Sequence, residues 1–151
     1  MAEIVSRQAA KVAAGTKMSP NEAYGKKRVV VITSPATVTW AQGDTLASPV
    51  VLPVGTRFTC GTNASHAAMG TGVTLDVGIR EVDGTVIDAD GIAAAVAVAS
   101  AGRSAANNGA LVAAGVEYVT TKPCQVYATL GGGTPTANAQ IRVEVEVVTP
   151  D

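Results

Sequence analysis

Gln140-Ile141-Arg142-Val143-Glu144-Val145-Glu146-Val147-Val148 alternates apolar and polar side chains with a period of two. In an extended chain successive side chains point to opposite faces. Ile141, Val143, Val145 and Val147 therefore share one face, and Arg142, Glu144 and Glu146 share the other. On a helix the same residues would scatter around the axis. The stretch reads as a strand with one face in a core and the other in water. Residues 73–80 repeat the pattern: Val73, Leu75, Val77 and Ile79 point one way, and Thr74, Asp76, Gly78 and Arg80 the other.

Working outward, the signals are short and β-like. Residues 29–33 are a β-branched run stopped by Ser34-Pro35, and residues 37–40 alternate weakly up to the turn at Gln42-Gly43-Asp44. Residues 45–52 are interrupted by Pro49, which marks an edge strand or a loop because proline cannot donate to a ladder. Residues 57–60 form a short strand, and residues 60–72 show no period and read as a loop. Asp83-Gly84 is a hairpin signal between residues 73–80 and 85–88. Ala89-Asp90-Gly91 reads as a further turn. The apolar run 92–99 is short enough to be a strand buried on both faces. Residues 101–109 read as a loop, 116–121 and 124–130 as strands, and 131–139 as a glycine-threonine hairpin loop. About eight short strands at this spacing predict an all-β fold, a β-sandwich with a jelly-roll-like body.

The first 28 residues differ. They hold six Lys/Arg against two Glu, leaving +4, whereas the remainder holds five Lys/Arg against ten Asp/Glu, leaving −5. Residues 3–14 form a short helix candidate, with Ile4, Val5, Gln8, Ala9 and Val12 on one side. Isolated helices of that length are marginal in water, so the segment needs a surface to persist. The expected organisation is a basic N-terminal arm over 1–28 and a β-sandwich domain over 29–151. Residues 1–15 contain charges at Glu3, Arg7 and Lys11 and no apolar block, so no secretory leader is expected. The run 92–99 falls far short of the roughly 20 residues of a membrane helix. A soluble protein made in a cytoplasm is the resulting expectation. The overall charge of −1 argues against bulk nucleic-acid binding.

Residues able to do chemistry are few. His66 is the one histidine and reads as a solvated loop residue. No Gly-x-Ser-x-Gly elbow accompanies it. Cys60 and Cys124 lack the spacing of a metal site or disulfide framework and read as small reduced residues. Asp88-Ala89-Asp90-Gly91 resembles part of a calcium loop without the third ligand or the closing Glu, so turn chemistry is the simpler reading. Gly131-Gly132-Gly133 and Gly70-Thr71-Gly72 lack the Lys-Ser/Thr and helix of a phosphate loop. No catalytic residue, cofactor or metal ligand is expected. Lys26-Lys27-Arg28, at the junction of arm and body, reads as a solvated strand entry or as a patch that docks on an acidic protein surface; nucleic acid fits less well, because Tyr24 alone could offer a stacking ring in the arm.

Gly72-Val73-Thr74-Leu75-Asp76-Val77-Gly78-Ile79 and the run from Val126-Tyr127-Ala128-Thr129-Leu130 through the glycines to Val147 resemble small structural proteins of tailed bacteriophages. The family implied is that of the capsid decoration, or cement, proteins. The resemblance implies β-sandwich bodies that oligomerise, as dimers or trimers, on the outside of a phage head, with the major capsid protein as partner. It carries over no functional residue. Combined with the charge pattern, it makes Arg7, Lys11, Lys26, Lys27 and Arg28 the expected capsid-binding residues, with no role for a membrane or a specific nucleic acid. Other readings are a head fibre base, a tail or head–tail joining component, and a carbohydrate-binding β-sandwich module.

Overall fold

The computed structural model of the chain describes residues 5, 7–17, 25–113 and 118–150. Its organising element is the strand over Ile141–Thr149, β9 in chain order. Val143, Val145 and Val147 are fully buried there, while Arg142, Glu144 and Glu146 face outward. A slip of one residue would drive three charges into the core, so the alternation fixes the register.

Ahead of β9 come α1 (Arg7–Ala13), β1 (Lys26–Thr33), β2 (Thr45–Ala47), β3 (Arg57–Phe58), β4 (Asn63–His66), β5 (Thr74–Glu81) and β6 (Val86–Ala97). They are followed by β7 (Gly102–Ala105), α2 (Ala110–Ala113) and β8 (Cys124–Gly131). One sheet has the order β1-β9-β4-β7, with β3 pairing β9 end to end with β4; the other has the order β2-β8-β5-β6. Every pairing is antiparallel. Apart from β3–β4 and the β5–β6 hairpin, each connection crosses between the sheets. This is the all-β sandwich expected, wound in a jelly-roll-like order.

The core lies between the sheets. Leu75, Val77 and Ile79 of β5, Val126 and Leu130 of β8, and Val143, Val145 and Val147 of β9 belong to one buried apolar cluster. Each such side chain contributes roughly 1.5–3 kcal/mol when fully buried. Trp40, Phe58 and Met69 are also buried, and the Trp40 indole N–H donates to the Ala139 carbonyl at 2.9 Å.

Several expectations are revised. Lys26, Lys27 and Arg28 are not arm but the first three residues of β1, paired with Thr149, Val148 and Val147. Residues 37–40 form no strand, and of residues 45–52 only Thr45–Ala47 is strand, continued by a bridge from Leu52 to Cys124. Residues 60–72 and 101–109, expected as loops, contain β4 and β7. In the expected strand 116–121, residues 116–117 lie outside the described residues and 118–120 are not strand. The expected helix shortens to Arg7–Ala13, with Glu3, Ile4 and Ser6 outside the described residues.

The largest departure is β6. Residues 89–91 do not turn the chain; they form an excursion within one long strand, whose register against β5 shifts three times. Gly78 makes this possible, because a Cβ there would collide with the carbonyls of Asp88 and Ala89. Instead of being buried on both faces, β6 is an edge, with Ala95 and Ala97 exposed.

Candidate interaction surface

Of the four sheet edges, three are visibly blunted. β7 is four residues long and carries Arg103. β2 is three residues long and precedes Pro49. β6 is bent by its bulges. The fourth, β1, keeps an unbroken register with β9 over eight residues and has no second strand neighbour among the described residues. The Ser34 amide donates to the Ile141 carbonyl at 2.9 Å. Hydrogen-bonded positions alternate along an antiparallel strand, so the amides of Val30 and Ile32 also face β9. Those of Val29, Val31 and Thr33 point away from it, to the open side.

Alternation also sorts the side chains. Val30 and Ile32 are buried, whereas Val29 and Val31 are 55% and 50% exposed. Across from them runs the segment between β2 and β3. The Ser48 and Leu52 amides donate to the Val126 and Cys124 carbonyls, at 2.9 and 2.8 Å, while Val50 and Val51 stay about half exposed. The two edges enclose a groove of about 710 Å³ walled by Val29, Val31, Val50, Val51 and Pro53, with Arg28 as its charged lining residue.

The basic residues stand at the start of β1. The Lys27 ammonium lies 3.0 Å from a Glu146 carboxylate oxygen, which also accepts from the Thr59 hydroxyl. The hydroxyl, followed by Lys27, holds the Glu146 carboxyl below its ordinary range. Lys26 and Arg28 share the face of Val30 and Ile32, at the end where that face leaves the core, and both are exposed. Among the capsid-binding residues expected, the structure therefore gathers Lys26, Lys27 and Arg28 on one strand and sets Arg7 and Lys11 on a separate element, α1. The exposed valines were missed. Their period was visible in the sequence, but nothing local says that β1 is an edge.

The other chemical groups are engaged locally. His66 is not a solvated loop residue. It sits buried in β4, with Nδ1 3.1 Å from the Ala67 carbonyl and Nε2 3.0 Å from the Ser104 hydroxyl. The carbonyl can only accept, so Nδ1 donates to it, and the Ser104 hydroxyl also lies 3.4 Å from the Ala97 carbonyl. Cys124 is buried, which pushes its thiol up to about 11, whereas Cys60 is exposed; both are free. Asp83 accepts from the Thr85 amide in the β5–β6 turn, Asp88 accepts from the Asp90 amide, and Glu81 pairs with Lys122 at 2.6 Å. Among the described residues no group of three or more His, Cys, Asp or Glu is placed to hold a metal ion. Tyr127 is buried beneath Arg80, whose guanidinium carbon lies 5.6 Å from the ring centroid.

No protein-family model matches the chain, and no curated protein matches it in sequence. The fold is similar to that of a chain in the Cyanophage Pam1 capsid asymmetric unit, at a TM-score of 0.51 and 21% identity, over 83% of this chain and 86% of that one.

Proposed function

We propose that this protein is a structural component of a phage particle, a decoration protein that binds the outside of the head across joints between capsomers. The observation that carries this reading is the fold shared with a phage capsid chain over most of both lengths. The charge pattern supports it, with basic residues at Arg7, Lys11, Lys26, Lys27 and Arg28 and an acidic remainder. Burial of Trp40 and Tyr127 counts against the carbohydrate-module reading, because neither ring is available as an exposed stacking platform. On this proposal the protein acts by binding and catalyses nothing. Binding only the assembled shell stabilises it by mass action, and symmetry repeats each weak contact many times. The body would work as a dimer or trimer in contact with the major capsid protein.

The test is co-sedimentation with empty heads of the phage that encodes the chain. Full-length protein should sediment at many copies per head, and a chain lacking residues 1–24 at clearly fewer. The cut precedes Lys26 because β1 begins there. Absence from purified particles would overturn the proposal. A few copies confined to one vertex would replace the decoration role with a joining or fibre-base role.

A further inference from the structure

The geometry points to a strand-addition site on β1 for an extended, acid-tipped segment of a partner protein. Four observations support it. First, β1 is a long regular edge with no outer strand among the described residues, and folded proteins otherwise avoid leaving such an edge open. Second, the amides and carbonyls of Val29, Val31 and Thr33 point to the open side, spaced to pair with alternate residues of an incoming strand. Third, the groove beside them gives such a strand an apolar wall of Val29, Val31, Val50 and Val51 for its own alternate side chains. Fourth, Lys26 and Arg28 lie on one face at the start of the same strand, and Arg28 is the charged residue that lines the groove among the described residues. A carboxylate at the matching end of the incoming segment would set its direction and register. A second copy of this chain, paired antiparallel through its own β1, would set the uncharged Ile32-Thr33 end against Lys26 and Arg28 and supply no carboxylate there. The identity of the partner as a subunit of the shell rests on the function proposed above; the chemistry of the site does not.

The experiment uses the full chain and two synthetic nine-residue peptides of alternating valine and threonine, one closed by two aspartates and the other by two lysines. Calorimetry reads affinity, and amide hydrogen exchange reads position. The aspartate peptide should bind and slow exchange at Val29, Val31 and Thr33, and the lysine peptide should bind about tenfold more weakly or less. Val31→Pro removes an outward-facing N–H, a position where an edge strand tolerates proline, and should abolish binding with the fold retained. If that variant fails to fold, Val31→Lys keeps the backbone donor, fills the groove with a charge and should cut affinity at least about tenfold. Equal binding of both peptides, protection elsewhere on the surface, or unaltered binding by the folded variants would overturn the site. So would a solution dimer that Val31→Pro converts to monomer, because a second copy would then occupy the edge. Peptide binding with no attachment to heads would refute only the virion role; attachment unaffected by the β1 variants would refute only strand addition.

Discussion

Single residues set the tolerances of this sandwich. Gly78 is one, since the β6 excursion presses carbonyls where any side chain would be. Gly78→Ala should cost about 1–3 kcal/mol through forced backbone movement, measured as a drop in Tm. The two cysteines separate by environment. Iodoacetamide at pH 8 should label Cys60 and spare Cys124 until the protein is unfolded, because the buried thiol is both inaccessible and pushed up to about 11. Glu146 gives the molecule an acid-sensitive contact. Its folded pKa is lowered, first by Thr59 and then by Lys27, so its contribution is present above the unfolded value of about 4.3 and is lost as pH falls through the folded one. With Lys27 two-thirds exposed, the contribution should stay under about 1 kcal/mol. Glu146→Gln should flatten the fall of Tm between about pH 5 and pH 3 by a corresponding small amount.

Elements show where local pattern ends and pairing begins. β5 and β9 are legible because strong apolar residues alternate with charged ones. β4 alternates equally well in burial, with Ala64 and His66 inward and Asn63 and Ser65 outward, but its residues are too alike in polarity for the period to appear. Pairing with β9 on one side and β7 on the other makes it a strand. In sequence β6 reads as two strands and a turn, because Asp90-Gly91 has turn composition. Its shape is held from outside by Asn108, whose amide side chain accepts from the Ala94 N–H at 3.0 Å and donates to the Ala94 carbonyl at 2.8 Å. The neighbouring Ala95 takes a positive φ of 49°, and Asp76 accepts from its N–H at 2.7 Å. Asn108→Ala should therefore cost about 1–2 kcal/mol and speed amide exchange at residues 94 and 95.

At the scale of the molecule, the proposed role asks a body with a net negative charge outside its first 28 residues to hold an acidic partner. Basic residues concentrated in α1 and at the start of β1 provide the opposite charge. On the proposed role, attachment to heads should weaken steadily as salt rises from about 0.05 to 0.5 M, because exposed charges more than a Debye length apart are screened. Salt-independent occupancy in the same sedimentation assay would assign the binding to apolar contacts such as the β1 groove instead.

The amino-acid order alone determined the all-β class, the inward faces of β5 and β9, the Asp83-Gly84 hairpin and the basic character of the first 28 residues. Each is a property of neighbours along the chain: a period of two, a turn dipeptide, a run of charge. The tertiary structure decided which strands became edges, where β6 leaves its register, that His66 is buried, and that Val29, Val31, Val50 and Val51 line one groove. These depend on which strands pair and which sheets face each other, interactions between residues from 6 to 123 positions apart, which no local period encodes.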